Sequence, residues 1–332
     1  MTRTAEAGTT VTDTAEAGTT VTHTAKASTT VTHTAKASTT VTHTPKARTT
    51  VTHTPKAHTP KARTPRARTA VAVGPHLDDA VFSVGGVLAL LSRAGWRVTV
   101  VTCFTASVAD PCPFALSTQL DKGLPADVDY MALRRAEDRA AQRGLGTLAP
   151  VHLPLPEAPH RGYGTPSELF RPPRPDDDVE TELRRLLGRH LASADLVLAP
   201  RAIGDHVDHL LTARAVAAVA PPARTAWWRD LPYAARTPAD GGGPRHGAPA
   251  ATRETTVDIG AVLPQKIAAA RCYATQLGFQ FGAPERTGEV LSGAARSEAL
   301  RTRAPCLHGE SLHAGDTARR LLEGLPHYEF SP

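Results

Sequence analysis

Two stretches of this sequence place several ionisable side chains directly after a short hydrophobic run. The first, VAVGPHLDDAVFSVGG, contains His76, Asp78 and Asp79. The second, LVLAPRAIGDHVDHLL, contains His206, Asp208 and His209. Ionisable groups packed against the end of a hydrophobic strand are costly unless they have partners or a task. The two loops are therefore candidates for a functional site.

The spacing of these residues suits a metal ion that is bound by imidazole and carboxylate groups. A catalytic zinc ion has three such protein ligands and an open position for water. His76 and Asp79 lie three residues apart around a tight turn, close enough to bind one ion. His206 and His209 are also three apart, so at the start of a helix they face the same way. One of these two histidines completes the triad, and the other stands over the open position.

The remaining groups can supply the other parts of a hydrolytic reaction. Asp78 sits next to a ligand and is free to take a proton from the water. The second-loop histidine that does not bind the metal can donate to a developing oxyanion. Asp208 can hold the ring of that histidine in its working tautomer. Each motif alone is weak, but the two together predict metal-assisted amide hydrolysis.

Alternating strand and helix signals from residue 70 onward indicate how the two loops are positioned. The predicted strands are Ala70–Val73, Arg97–Phe104, Ala149–Leu153, Asp195–Ala199, Ala226–Arg229 and Arg253–Val257. The predicted helices are Ala80–Ala94, Tyr130–Gly144, Asp176–Leu191, His206–Ala220 and Pro264–Ala274. This order predicts a Rossmann-like α/β fold, with a mostly parallel sheet and helices on both faces. Because the carboxyl ends of such strands form the binding crevice, we expect the two loops to meet there.

Residues 1–69 have a different composition, with ten-residue repeats such as TAEAGTTVTH and TAKASTTVTH. The repeats cannot bury enough apolar area to offset backbone entropy, so we predict a disordered low-complexity segment ahead of an α/β domain at residues 70–332. The segment carries a net charge of +7 in a chain whose total is +6, so the remainder is nearly neutral. A protein that binds polyanions or nucleic acids through this basic tail is an alternative. The near-neutral remainder and the lack of a recognised nucleic-acid motif argue against it.

Other features of the sequence bear on the setting of the protein. The four cysteines are scattered without a C-x-x-C pair, which favours a reducing compartment. No run approaches the roughly 18 apolar residues of a membrane span, and the N-terminus lacks the apolar core of a secretion signal. We therefore expect a cytoplasmic protein. No G-x-G-x-x-G follows the first strand, which disfavours a dinucleotide-binding enzyme.

GPHLDDAVFSVGG, followed downstream by GDHVDH, resembles the PIG-L/LmbE-like family of zinc-dependent N-deacetylases, which act on N-acetylglucosamine-type conjugates. The family motifs are P-H-P-D-D-E and H-P-D-H. Between them R-x-x-E and A-x-x-x-L-G are common, and the residues that fit are Arg134, Glu137, Ala141, Leu145 and Gly146. The resemblance covers about residues 70–285.

The resemblance implies a role for each residue of the two loops. The zinc ligands would be His76, Asp79 and His209, holding one ion per chain. Asp78 would be the general base. His206, oriented by Asp208, would be the acid that stabilises the oxyanion.

The resemblance also implies contacts with the substrate and shows where this chain departs from the family. Glu157, Arg161 and Tyr163, on the loop after the third strand, are expected to hold sugar hydroxyls. Ala80 replaces the glutamate of the first motif, from which we expect altered substrate contacts. The expected reaction is zinc-dependent hydrolysis of the N-acetyl group of a GlcNAc-like amino-sugar conjugate, a small molecule, releasing acetate and a free amine. An amidase that removes a larger acyl group is the alternative within enzymes.

Overall fold

The computed structural model describes residues 66–236 and 251–326, together with the backbone of six short strands between residues 2 and 53. The chain divides into two compact units, Met1–Arg66 and Ala67–Pro332. In the described parts of the chain, no helix combines the length and the apolar character that crossing a membrane requires.

The strands of the first unit fall within the repeats: β1 (Thr2–Ala5), β2 (Thr10–Ala15), β3 (Thr20–Ala25), β4 (Thr29–Ala35), β5 (Thr40–His43) and β6 (Thr49–His53). They pair in parallel as two sheets, β1-β3-β5 and β2-β4-β6, and each residue lies opposite its equivalent two repeats later, as Val11 does with Val31. Threonine and valine are β-branched and favour extended backbone. These strands were not predicted from the sequence, and disorder of the segment in solution stays a prediction.

The second unit is built on a seven-stranded sheet: β7 (Thr69–Gly74), β8 (Arg97–Phe104), β9 (Val151–Leu155), β10 (Leu196–Pro200), β11 (Thr225–Trp228), β12 (Arg253–Asp258) and β13 (Gly309–Ala314). The order is β12-β13-β11-β10-β7-β8-β9, and β13 runs antiparallel to both of its neighbours. The strands from β11 to β9 pair in parallel. The predicted mostly parallel sheet is confirmed.

The helices of this unit are α1 (Asp79–Arg93), α2 (Pro113–Leu120), α3 (Tyr130–Leu145), α4 (Val179–Leu191), α5 (Val207–Val219), α6 (Tyr233–Arg236), α7 (Leu263–Ala270), α8 (Ala274–Phe281), α9 (Thr287–Thr302) and α10 (Asp316–Glu323). Alternate residues of β7 enter two separate cores. Ala70 and Ala72 pack in the core formed with α1 and α7, whereas Val71 and Val73 pack in the core formed with α4 and α5. Helices therefore cover both faces, and the predicted α/β fold is confirmed.

Several elements differ from those predicted, among them α2, α7 and β13. α2 lies between the predicted strand Arg97–Phe104 and the predicted helix Tyr130–Gly144, where no helix was predicted, and Pro113 occupies its first turn, where a missing N–H is tolerated. α7 ends at Ala270, before the predicted end of that helix, and α8 follows. β13 was not predicted because its sequence, GESLHA, is short and lacks a β-branched residue.

The order of the strands places the ends of β7 and β10 at a switch point of the sheet. β7 lies between β8 and β10, and the chain runs from β7 towards β9 on one side and from β10 to β11 on the other. At such a point the two connections leave in opposite directions and open a crevice at the carboxyl ends of the strands. The two loops that carry the ionisable residues follow these two strands, as expected.

A buried carboxylate supports a break in α1, the helix whose first residues enter that crevice. Val84 has non-helical backbone angles (φ −130°, ψ 20°), so the N–H groups of Gly86 and Val87 begin a new helical segment. Glu310 of β13 accepts hydrogen bonds from both, at 3.0 and 2.7 Å, and Lys266 of α7 lies 2.6 Å from the same carboxylate. A Cβ at Gly86 would lie 2.6 Å from the side chain of Ile259, so only glycine fits there.

Replacing Glu310 with alanine is expected to lower the free energy of unfolding by about 3–5 kcal/mol, because it leaves the buried charge of Lys266 without a partner. Urea unfolding followed by circular dichroism measures this loss. The control is Glu323→Ala, which removes a half-exposed partner of Arg319 on α10 and is expected to cost less than about 1 kcal/mol. Equal losses in the two variants would contradict a structural role for Glu310.

Candidate active site

Asp79, at the start of α1, lies between two histidines from the two loops. Its Oδ2 atom is 3.4 Å from Nδ1 of His76 and 3.3 Å from Nε2 of His209. The three residues can offer ligand atoms that all lie within 4.8 Å of one another. The backbone N–H of His76 also donates to the same carboxylate at 2.8 Å, which closes the tight turn before the helix.

The ring of His209, in the first turn of α5, is held in place by the carboxylate of Asp230, a contact that was not predicted from the sequence. Asp230, which follows β11, lies 2.8 Å from Nδ1 of the ring and accepts a hydrogen bond from the N–H of Ile203. Burial lowers the pKa of His209, but Asp79 and Asp230 outweigh it and raise the pKa to about 9. One feature of the sequence could have indicated this role of Asp230, namely its position shortly after a strand that neighbours β10.

The environment of His209 fits a divalent metal ion such as zinc. Its Nε2 atom is fully buried and makes no hydrogen bond within the described part of the chain. A buried polar atom that faces Asp79 at 3.3 Å without forming a hydrogen bond is costly, so this position favours a ligand. Two imidazoles and one carboxylate are the donor types of catalytic zinc sites, and a carboxylate behind the ring is their usual support.

His76 is supported in the same way, by Asp208. Its Nε2 atom lies 3.0 Å from the carboxylate of Asp208, which is fully buried and also accepts hydrogen bonds from Arg161 at 2.6 Å and from the N–H of Ala158 at 3.1 Å. The predicted role of Asp208 was to orient His206. In the structure the carboxylate of Asp208 contacts His76, Arg161 and the backbone of Ala158, and its role in orienting His206 stays a prediction.

His206 caps α5 and is oriented by the backbone instead. Its Nδ1 atom accepts a hydrogen bond from the N–H of Asp208 at 3.2 Å. A neutral ring that accepts at Nδ1 carries its proton on Nε2, which can then donate. Burial and the neighbouring His76 lower the pKa of His206 to about 3, so the ring is neutral near pH 7. His76, His206 and Asp208 also form a second group whose ligand atoms lie within 4.8 Å of one another.

The two adjacent aspartates have opposite protonation behaviour. Burial and the charge of Asp79 raise the pKa of Asp78 to about 6. Burial opposes the ionisation of Asp79, but His209 and His76 hold its pKa well below the usual range. A carboxylate that ionises near neutral pH suits a general base, whereas one that is always ionised suits a metal ligand. The roles that the resemblance implied for these two residues stay predictions.

Asp78 is linked to one of the predicted substrate-binding residues through a buried arginine. The guanidinium of Arg134 lies 3.7 Å from Asp78 and forms an ion pair with Glu157. Glu137, the second residue of the R-x-x-E motif, instead accepts hydrogen bonds from the N–H and hydroxyl of Thr275 at 2.8 and 2.7 Å. Arg134 therefore belongs to the site, and Glu157 lies at its edge.

The other two residues expected to hold sugar hydroxyls are turned into the protein. Arg161 donates to Asp177, to Asp208 and to the carbonyl of Pro156. Tyr163 is 1% exposed, and its hydroxyl donates to Asp177 at 2.9 Å. With their polar groups occupied in this way, the geometry favours a role for both in positioning Asp208, and this differs from the predicted contact with substrate.

Aromatic rings and one glycine shape the rim around His206. Phe170 stands edge-on to His206 with ring centroids 5.4 Å apart, and Tyr233 contacts both Phe170 and His209. Gly204 has φ +93°, and a Cβ there would lie 2.7 Å from the ring of Tyr233, so the loop needs glycine at this position. Ala80, which replaces the family glutamate, is the second residue of α1 and is buried in the core.

Known proteins share these motifs and this arrangement of elements. A family model described as PIG-L, GlcNAc-PI de-N-acetylase, matches residues 71–220. The chain is 33% identical over 265 residues to the 2'-N-acetylparomamine deacetylase of Streptomyces fradiae, which covers 77% of this chain and 86% of that protein. The protein belongs to the PIG-L family. The family prediction made from the sequence is therefore confirmed.

Solved structures of deacetylases share the fold of this PIG-L protein. The A40926 pseudoaglycone deacetylase is 30% identical, with a TM-score of 0.61, and the match covers 75% of this chain and 97% of that one. The zinc-inhibited form of the teicoplanin deacetylase is 26% identical, with a TM-score of 0.62, over 74% of this chain and 97% of that one. The enzyme class predicted from the sequence, an N-deacetylase, is the class of these relatives.

Asp230→Asn is expected to weaken metal binding by about 10–100-fold, because the ring of His209 loses the carboxylate that orients it. Competition with a chromophoric chelator measures the affinity. Asp138→Asn is the matched control, since Asp138 lies 2.7 Å from Nε2 of His152 in a buried pair away from the two loops. An unchanged affinity in Asp230→Asn, or an equal loss in the control, would contradict the support of His209 by Asp230.

Proposed function

We propose that this PIG-L protein is a zinc-dependent N-deacetylase that hydrolyses the N-acetyl group of a GlcNAc-like amino-sugar conjugate and releases acetate and a free amine. The observation that carries the proposal is the convergence of His76, Asp79 and the unbonded Nε2 of His209, with Asp78 and His206 beside them. The relatives named above, which are deacetylases of such conjugates, support a small-molecule substrate.

His76, Asp79 and His209 would hold one zinc ion per chain. When bound, the ion supplies a Lewis acid and lowers the pKa of a coordinated water to about 7. Asp208 and Asp230 would keep the two imidazoles in the orientation and tautomer that metal binding needs. Both carboxylates are fully buried and are fixed by further hydrogen bonds to backbone N–H groups.

Different side chains around this position carry out different steps of amide hydrolysis. Asp78 takes a proton from the attacking water and returns it to the nitrogen of the departing amine. Nε2–H of His206 donates to the carbonyl oxygen as negative charge develops on it. Because the pKa of His206 is about 3, the ring acts as a neutral donor and keeps its proton. The ion pair of Arg134 with Glu157 holds the guanidinium against Asp78.

The two adjacent aspartates give a direct test of this division of roles. Asp78→Asn is expected to lower kcat by about 10²–10⁴-fold with the metal retained, because only the proton acceptor is lost. Asp79→Asn is expected to lose the metal, because an uncharged amide replaces a ligand. An amine-release assay and elemental analysis of both variants check this. Loss of metal from Asp78→Asn alone would show that the two roles are reversed.

Zinc content is expected to be one ion per chain, both in the full protein and after removal of residues 1–66, because all the proposed ligands lie beyond Arg66. A chelator should abolish amine release from an N-acetylated amino sugar, and added zinc should restore it. Elemental analysis of both proteins after dialysis gives the content. A truncated protein that folds, as shown by circular dichroism, but binds no zinc would contradict the proposed ligands.

A further inference from the structure

Four aromatic rings border one side of the proposed zinc site. His206 contacts His209, His209 contacts Tyr233, Tyr233 contacts Phe170, and Phe170 contacts His206. The centroids of these pairs lie 5.4 to 6.1 Å apart, and the ring planes meet at 61° to 87°. Aromatic pairs favour such edge-to-face contacts, in which neighbouring rings touch. The four side chains therefore form a continuous aromatic wall.

Phe170 is the member of the aromatic wall that faces solvent. Its side chain is 46% exposed, whereas His206, whose ring it contacts, is only 7% exposed. Single exposed apolar side chains are common on protein surfaces, but this one lies against the proposed donor to the oxyanion. A substrate that brings its carbonyl oxygen to His206 therefore meets the ring of Phe170.

The loop that carries Phe170, between β9 and α4, is anchored at both ends. Arg161 near its start donates to Asp177 near its end at 3.1 Å, and both side chains are buried. Leu169, the neighbour of Phe170, packs against the core that contains residues of α4 and α5. The loop follows β9, yet it carries the ring of Phe170 across to residues that follow β10 and β11. Its position over His206 is therefore fixed by packing and by a buried ion pair.

The order of the strands places the two halves of the reacting amide on different sides of β7. Asp78, the proposed base that returns a proton to the departing nitrogen, lies against Arg134, which pairs with Glu157 after β9. His206 follows β10 and Tyr233 follows β11. In the order β11-β10-β7-β8-β9 these two groups lie on opposite sides of β7. With the nitrogen held towards β9, the acyl carbon points towards the aromatic wall.

We propose that Phe170 determines the acyl-group specificity of this enzyme. Its ring, backed by Tyr233, closes the side of the site that receives the acyl carbon, so that an acetyl group fits and a longer linear acyl group does not. An acetyl group ends in one methyl, whereas each further methylene has to enter space that the rings fill, and close-packed groups resist such insertion. This inference rests on the proposed deacetylase function and adds the residue that limits the acyl group.

The test compares the N-acetyl and N-butanoyl forms of methyl glucosaminide as substrates of the zinc-loaded full-length enzyme. We expect the wild-type enzyme to have the higher kcat/KM for the acetyl form. Phe170→Ala should raise the ratio of kcat/KM for the butanoyl form to that for the acetyl form by about 10-fold or more, because space for one methylene changes discrimination by about 10–200-fold. Phe170→Leu, which keeps more of the side chain, should give a smaller rise. Circular dichroism checks that both variants fold.

Phe279→Ala is the matched control, because Phe279 is a 72% exposed phenylalanine of α8 that lies against Lys122, away from the aromatic wall. The ratio should stay unchanged in this variant. An unchanged ratio in folded Phe170→Ala and Phe170→Leu, or an equal rise in the control, would overturn the inference. Equal kcat/KM for the two forms in the wild-type enzyme would also overturn it, and either result leaves the deacetylase function standing. Failure of the wild-type enzyme to release an amine from either form would count against the proposed function itself.

Discussion

The site depends on a row of alternating buried acids and bases: Asp208, His76, Asp79, His209 and Asp230. Adjacent members are separated by 2.8 to 3.4 Å. Each imidazole has a carboxylate on both sides. These contacts offset the effect of burial on the charges of His76, His209, Asp79 and Asp208, whereas burial still raises the pKa of Asp230. Removing one member leaves its neighbours as unpaired buried charges, which explains why the two outer aspartates matter although neither is proposed to touch the metal.

The sheet makes this row possible by bringing together segments that are distant in sequence. β7, β10 and β11 are adjacent, so the residues after each of them meet at one edge. The break in α1, capped by Glu310 from β13, seats the start of that helix against the same edge. The antiparallel strand β13 therefore contributes to the site from outside the parallel part of the sheet. The loop between β9 and α4 adds Arg161, which donates a hydrogen bond to Asp208.

The sequence allowed the fold class and the two loops to be predicted, because hydrophobic runs mark the strands and polar residues follow them directly. It could not show which of several nearby donors a carboxylate would choose. For this reason His206 was predicted as the partner of Asp208, whereas in the structure the carboxylate of Asp208 contacts His76. Asp230 was missed because one aspartate after a strand carries no spacing signal. Arg161 and Tyr163 were expected at the substrate because they lie on the right loop, but a loop position does not tell which way a side chain turns.

We propose that one zinc ion lies between the side chains of His76, Asp79 and His209. Anomalous diffraction at the zinc absorption edge, on crystals of the protein loaded with one equivalent of zinc, tests it most directly. We expect a single anomalous peak within about 2.0–2.2 Å of a ligand atom from each of these three residues. A peak bound by His206 and Asp208 instead, or no ordered zinc at the crevice, would contradict it.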